Sequence, residues 1–200
     1  MKRIGRGLAA ALLIPAGAGA QEAGVVLAEV SLPAPGAAYH GGTHVFPDAE
    51  ARLTCSSHGG FTASVAPPRA AGTSALAEYH ATFTGELSLG PPADVTNYAV
   101  EGRVHMAERL TFAERRGSEL VLETELVVLD LQGAGMPAGI LVRESPTRAS
   151  IGRATITTLA RGRHRVESSY DVWLELSADG GRSWIPADAA VRMTLVPAAA

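Results

Sequence analysis

Cysteine is almost missing from this chain: Cys55 is the one thiol in 200 residues, so no internal disulfide can form. It stands far downstream of the N-terminal segment, which excludes lipid attachment there, and it reads as a small half-buried apolar side chain. Aromatic residues make up only 5% of the sequence, which leaves the core to Val, Leu, Ile and Ala. No segment offers the roughly 20 consecutive apolar residues that a membrane-spanning helix requires. Positive charge is also in deficit, with 17 Lys and Arg against 20 Asp and Glu and a net charge of −3. Phosphate backbones are held by clustered positive charge, so nucleic acid is not an expected partner. A phosphate-binding glycine loop and a dinucleotide fingerprint are absent as well, and no cofactor is expected.

The N-terminus has the three parts of an export signal. Lys2, Arg3 and Arg6 precede an apolar run over residues 8–14, and Ala18-Gly19-Ala20 forms a small-residue cleavage site. The expectation is a signal peptide over 1–20 and one β-rich domain over 21–200, with a less regular N-terminal lobe over 21–75. Three of the basic residues would leave with the signal, giving the remainder 14 basic against 20 acidic side chains and a net charge of −6. The expected location is outside the cytoplasm, periplasmic or secreted.

Three segments alternate cleanly in polarity, as a half-buried strand requires. Tyr79, Ala81, Phe83, Gly85, Leu87 and Leu89 share one face of the first. Tyr98, Val100, Gly102, Val104 and Met106 share one face of the second, and the two pair across the Gly90-Pro91-Pro92 turn. The third runs over 163–177, with Val166, Tyr170, Val172, Leu174 and Leu176 inward and Asp171, Trp173 and Glu175 outward. Residues 119–131 read as a strand covered on both sides, since Val121, Val127 and Val128 are β-branched. Weaker strands are expected over 24–30, 43–46, 51–55, 61–66, 140–143 and 149–158, with loops over 67–74 and 131–138. Short strands divided by Gly and Pro turns predict an all-β fold, an antiparallel sandwich with a barrel as the alternative.

The third strand ends in Ser177-Ala178-Asp179-Gly180-Gly181-Arg182-Ser183-Trp184. Gly180 and Gly181 can take positive φ, and the Asp179 carboxylate can accept backbone N–H groups across the bend. The pattern resembles the Asp-box, a structural hairpin motif of sialidases and other β-propeller proteins. With one copy and no repeat of propeller-blade length, it implies a single hairpin and not a propeller. The longer stretch ESPTRASIGRATITTLARGRHRVESSYDVWLELSADGGRSW, over 144–184, resembles a segment of exported bacterial β-rich proteins of uncharacterised activity. That resemblance implies export and a β fold and supplies no catalytic residue.

Several side chains are candidates for chemistry. His40 and His44, flanking Gly41-Gly42, are the strongest metal-like pair, with Asp48, His58 and His80 as further donors; the intervening glycines argue against the helix that would bring both rings to one face. No metal is therefore expected. Trp173 between Asp171 and Glu175 could present an indole for stacking on a sugar, with the carboxylates accepting hydroxyl bonds. If the protein is an enzyme, Glu144, Asp171 and Glu175 are the carboxylates that could serve as acid and nucleophile. Ser145 in Glu144-Ser145-Pro146-Thr147 lacks the sharp glycine-flanked turn of a nucleophilic serine. The leading expectation is a non-catalytic exported domain that is structural or binds carbohydrate or protein. The alternatives are a secreted hydrolase acting on carbohydrate and a barrel-type carrier of small apolar ligands.

Overall fold

A computed structural model describes residues 24–131 and 135–198. The segment read as an export signal and part of the loop expected over 131–138 lie outside the described residues. In chain order the strands are β1 (Val25–Leu27), β2 (Ala37–His40), β3 (Thr43–Phe46), β4 (Ala51–Gly59), β5 (Ser74–Leu89), β6 (Thr96–Arg116) and β7 (Glu119–Leu131). From residue 135 on come β8 (Leu141–Glu144), β9 (Ser150–Thr158), β10 (His164–Val172), β11 (Leu174–Ser177), β12 (Ile185–Pro186) and β13 (Val191–Pro197). Among the described residues the only helical segments are two short 3-10 turns.

Every pairing is antiparallel, and the ladders β10–β13–β2–β4–β5–β6–β7 return through β9 to β10. That circuit closes an eight-stranded barrel, which removes the unpaired edges an open sheet would expose. The barrel alternative therefore holds and the sandwich does not: two separate sheets would need a break in this circuit, and β9 bridges it by pairing with both β7 and β10. The remaining strands decorate the wall. β1 lies on β10 and β3 on β4, while β8, β11 and β12 extend outward from β7.

The alternation read from the sequence is the alternation of the wall. Tyr79, Ala81, Phe83 and Leu87 of β5, and Val100, Val104 and Met106 of β6, are buried. The expected strand over 119–131 is β7 to the residue. Two expectations fail locally. Residues 61–66 form no strand beyond a single bridge between Leu32 and Val65, and Phe61 instead lays its ring edge-on against Tyr39 and Tyr79 at centroid distances of 6.1 and 5.5 Å. The third alternating strand is not continuous: it breaks at Trp173 into β10, in the barrel, and β11, in the outer extension.

Side chains fill the inside, as eight strands leave room for little else. Tyr39, Leu110, Leu122, Val166, Met193 and Leu195 are all at most 2% exposed. Each such burial contributes roughly 1.5–3 kcal/mol relative to an exposed side chain.

Candidate functional site

The break at Trp173 arises because a side chain replaces a backbone partner. The Ser150 hydroxyl accepts the Trp173 N–H at 2.9 Å, and the Trp173 carbonyl accepts the Ser145 N–H at 2.9 Å. The chain thereby passes from the barrel into the β8–β11 ladder, where Leu174 opposes Glu144 and Glu175 opposes Arg143. Two of the three candidate carboxylates meet at this junction.

Glu175, expected to point outward, is only 6% exposed. Its Oε2 accepts Arg143 Nη2 at 2.7 Å and Nε at 3.0 Å, and its Oε1 accepts the Ser145 hydroxyl at 2.9 Å. The Arg143 guanidinium also lies over the Trp184 ring at 3.9 Å from its centroid, which joins the outer hairpin to this ion pair. Glu144 is half-buried and accepts the Ser150 hydroxyl at 3.0 Å. Burial pushes its carboxyl up to about 7 against the lowering effect of the Ser150 bonds, and the nearby Glu125 and Glu175 carboxylates raise it further. Trp173 itself is half-buried, with the Arg148 guanidinium 4.5 Å from the ring centroid. One face of the proposed stacking platform is therefore already covered.

Asp171 does not join this group. It pairs with Arg192 across the β10–β13 ladder, both its oxygens 3.2 Å from Nη1, while Arg192 Nη2 donates to Ser169 at 2.7 Å. Beside this pair runs a groove of about 330 Å³ whose walls carry Arg153, Thr155, Glu167, Ser169, Arg192 and Thr194. It lies where β10 changes neighbours, since residues 164–166 pair with β1 and residues 169–172 with β13. Ser168 stands in the groove floor at that seam and accepts the Tyr39 hydroxyl from the barrel interior at 2.9 Å. Glu144, Asp171 and Glu175 line neither this groove nor the three others formed around Phe46, Leu120 and Thr124.

The turn after β11 closes a hairpin onto β12, with Leu176 opposite Ile185. Asp179 Oδ1 accepts the N–H groups of Arg182 and Ser183, each at 2.9 Å, and Oδ2 accepts the Ser183 hydroxyl at 2.6 Å. The Ser177 hydroxyl accepts the Gly181 N–H at 2.8 Å and donates to Asp179 at 2.8 Å. Hydrogen bonds to Ser183 are the main reason the Asp179 carboxyl is held well below the ordinary range. Gly180 and Gly181 take φ of 74° and 89°, and both carboxylate oxygens are occupied within the turn.

The histidines separate. His40 is exposed at the end of β2, whereas His44 on β3 is fully buried beside Phe46. Neither ring nitrogen of His44 has a hydrogen-bond partner, and burial pushes its pKa down to about 4. His58 is buried too, stacked on Tyr39 at 5.2 Å with its pKa lowered to about 4, mainly by burial. Among the described residues no group of three or more His, Cys, Asp or Glu side chains is in place to hold a metal ion. Cys55 is buried, which pushes its thiol up to about 12 and removes the thiolate as a nucleophile.

The most perturbed cluster was missed by sequence reasoning. Glu108 lies inside the barrel at 2% exposure, and its carboxylate accepts the hydroxyls of Tyr170 and, at 3.4 Å, Tyr79. Desolvation pushes it up to about 7, although both phenols favour the ionised form. Its signal was the phase of the strand: Val104, Met106, Glu108 and Leu110 all lie on the inward alternation of β6, which the sequence reading stopped at Met106. No family model, curated protein or solved structure matches this chain.

Proposed function

We propose that the chain is an exported, non-catalytic β-barrel domain that binds carbohydrate on its outer wall. The observation that carries this reading is the groove over β9, β10 and β13, where guanidinium, hydroxyl and carboxylate groups alternate across adjacent strands. A polyhydroxylated ligand needs donors and acceptors in close alternation, and strands that place side chains about 5 Å apart supply them on a rigid wall. Arg153, Thr155, Ser169, Arg192 and Thr194 provide donors, and Glu167 accepts. Export is supported by the N-terminal charged, apolar and small-residue segments.

A glycan-array screen followed by calorimetry on the strongest hit tests the proposal. Arg192→Ala and Thr194→Val are expected to weaken binding by about 10-fold or more, each removing a bond to the ligand. Trp173→Ala should leave it unchanged. Absence of any glycan bound, or affinity unaffected by both groove variants, overturns the reading.

A second reading, hydrolysis of carbohydrate, is favoured by Glu144 alone. A carboxyl whose pKa burial raises to about 7 has the pattern of a general acid. Turnover abolished by Glu144→Gln and spared by Arg192→Ala would favour it over the binding domain.

A further inference from the structure

We propose that His80 and His105 form a surface site for a divalent transition-metal ion, with Zn²⁺ as the defining ligand. The two residues stand directly opposite each other in the β5–β6 ladder, the arrangement that brings two side chains closest on one face of a sheet. Both project outward, because their neighbours Tyr79, Ala81, Val104 and Met106 are buried. Their ring centroids are 5.4 Å apart. Two imidazoles bound to one zinc ion through nitrogens about 2.0–2.1 Å away have centroids about 5 Å apart at a tetrahedral angle, so the pair needs little movement to share an ion.

The surrounding carboxylates divide into two roles. His105 Nε2 lies 2.9 Å from Glu78 Oε1, a bond that fixes the orientation of the ring, as carboxylate partners do for metal-bound histidines. The opposite nitrogen, Nδ1, is 4.0 Å from Asp130 Oδ2 on β7. At a tetrahedral ion with bonds of about 2 Å the two ligand atoms would stand about 3.3 Å apart, so the Asp130 carboxylate has to move inward before it can bind. Asp130 does not stand close enough to count as a third ligand as it lies, so His80 and His105 nucleate the site and Asp130 or water completes it. Imidazole donors select Zn²⁺ over Ca²⁺ and Mg²⁺, which prefer all-oxygen shells.

Titration calorimetry of the purified chain with Zn²⁺ tests the site. One ion per chain is expected with an affinity on the order of micromolar, tightening as pH rises because protons compete for both rings. His80→Gln and His105→Gln should each weaken binding by about 100-fold, and Glu78→Gln by about 10-fold through loss of ring orientation. His40→Gln, on a strand that is not part of this cluster, should leave affinity unchanged. Imidazole nitrogen NMR signals of the unmodified protein provide a second readout, since Zn²⁺ should shift those of His80 and His105 together. No saturable binding, binding unaltered by both histidine variants, or shifts confined to other histidines would overturn the site.

Discussion

Tyr170 on β10 donates its hydroxyl to the Glu108 carboxylate on β6, across the inside of the barrel. Tyr79 reaches the same carboxylate from β5, so one charged group ties three strands of the wall together. A buried acid of this kind is costly when ionised and nearly neutral in effect when protonated. Its raised pKa, about 7, means that the folded state holds a proton that the unfolded state releases near 4.5. Stability from this group is therefore complete below about pH 4.5 and is lost as pH rises through 7.

Glu108→Gln keeps the shape without the titration, its amide oxygen accepting one phenol and its NH2 donating to the other. Its stability relative to the natural protein should rise with pH between about 4.5 and 7 and then level off, the difference reaching roughly 3 kcal/mol. Urea denaturation at stepped pH measures it, and a difference that is constant with pH would refute the assignment.

His44 and His58 act in the opposite direction. Each is kept neutral by burial with a folded pKa of about 4, against the ordinary 6.5. The unfolded chain takes up these protons first as pH falls, so stability is lost between about pH 6.5 and 4, by roughly 3 kcal/mol for each ring. His44→Leu should flatten this acid limb and also remove two unpartnered nitrogens from the interior. An acid limb as steep as that of the natural protein would count against a buried neutral His44.

Legibility follows the range of the interaction. β5 and the first part of β6 were readable because one buried face imposes an alternation that each strand carries in its own residues, and β7 was readable from its β-branched valines. Closure was not readable, since it rests on β9 meeting both β7 and β10, and nothing local distinguishes that from a strand at a sandwich edge. The break at Trp173 was hidden for a related reason: apolar and polar residues alternate in the sequence without interruption through Val172, Leu174 and Leu176, and the cause is Ser150, more than twenty residues away. β2 was missed because four residues flanked by glycine carry little pattern, and its place is set by pairing with β4 and β13. Glu175 was expected outward and is buried instead, because the partners that hold it, Arg143 and Ser145, come from a segment some thirty residues earlier that the alternation of its own strand does not reveal.

Arg143 and Glu175 should show strong coupling. Arg143→Ala leaves a carboxylate that is 8% exposed with only Ser145 as partner, which should cost about 3 kcal/mol. Arg143→Ala combined with Glu175→Gln should recover part of that loss, because the uncompensated charge is gone. Thermal melts of both variants decide it, and a double variant no more stable than the single one would argue against the pair as the cause.

The hairpin turn supplies a test confined to local structure. Asp179→Ala removes the acceptor for two backbone N–H groups and one hydroxyl, and should lower the melting temperature without altering glycan or Zn²⁺ binding. Gly180→Val forces a β-branched residue to φ 74° and should cost about 1–3 kcal/mol. Hydrogen exchange at Arg182 and Ser183 is the direct readout, expected to accelerate in Asp179→Ala.

Ser150 decides whether the outer extension is docked on the barrel or merely adjoins it. Its fully buried hydroxyl accepts the Trp173 N–H and donates to Glu144, so the same oxygen completes the backbone at the strand break and restrains the half-buried acid. Ser150→Ala strands a backbone donor and a carboxyl together, and a loss of roughly 1–3 kcal/mol is expected. The loss should be larger above pH 7, where Glu144 is ionised and misses the hydroxyl most, and smaller near pH 5, where the protonated carboxyl needs it less. Ser150→Thr retains the oxygen and should recover part of the stability at both pH values. A loss equal at pH 5 and pH 8 would mean that the serine serves the Trp173 backbone alone, and that Glu144 is held at its place by the β8–β11 ladder without it.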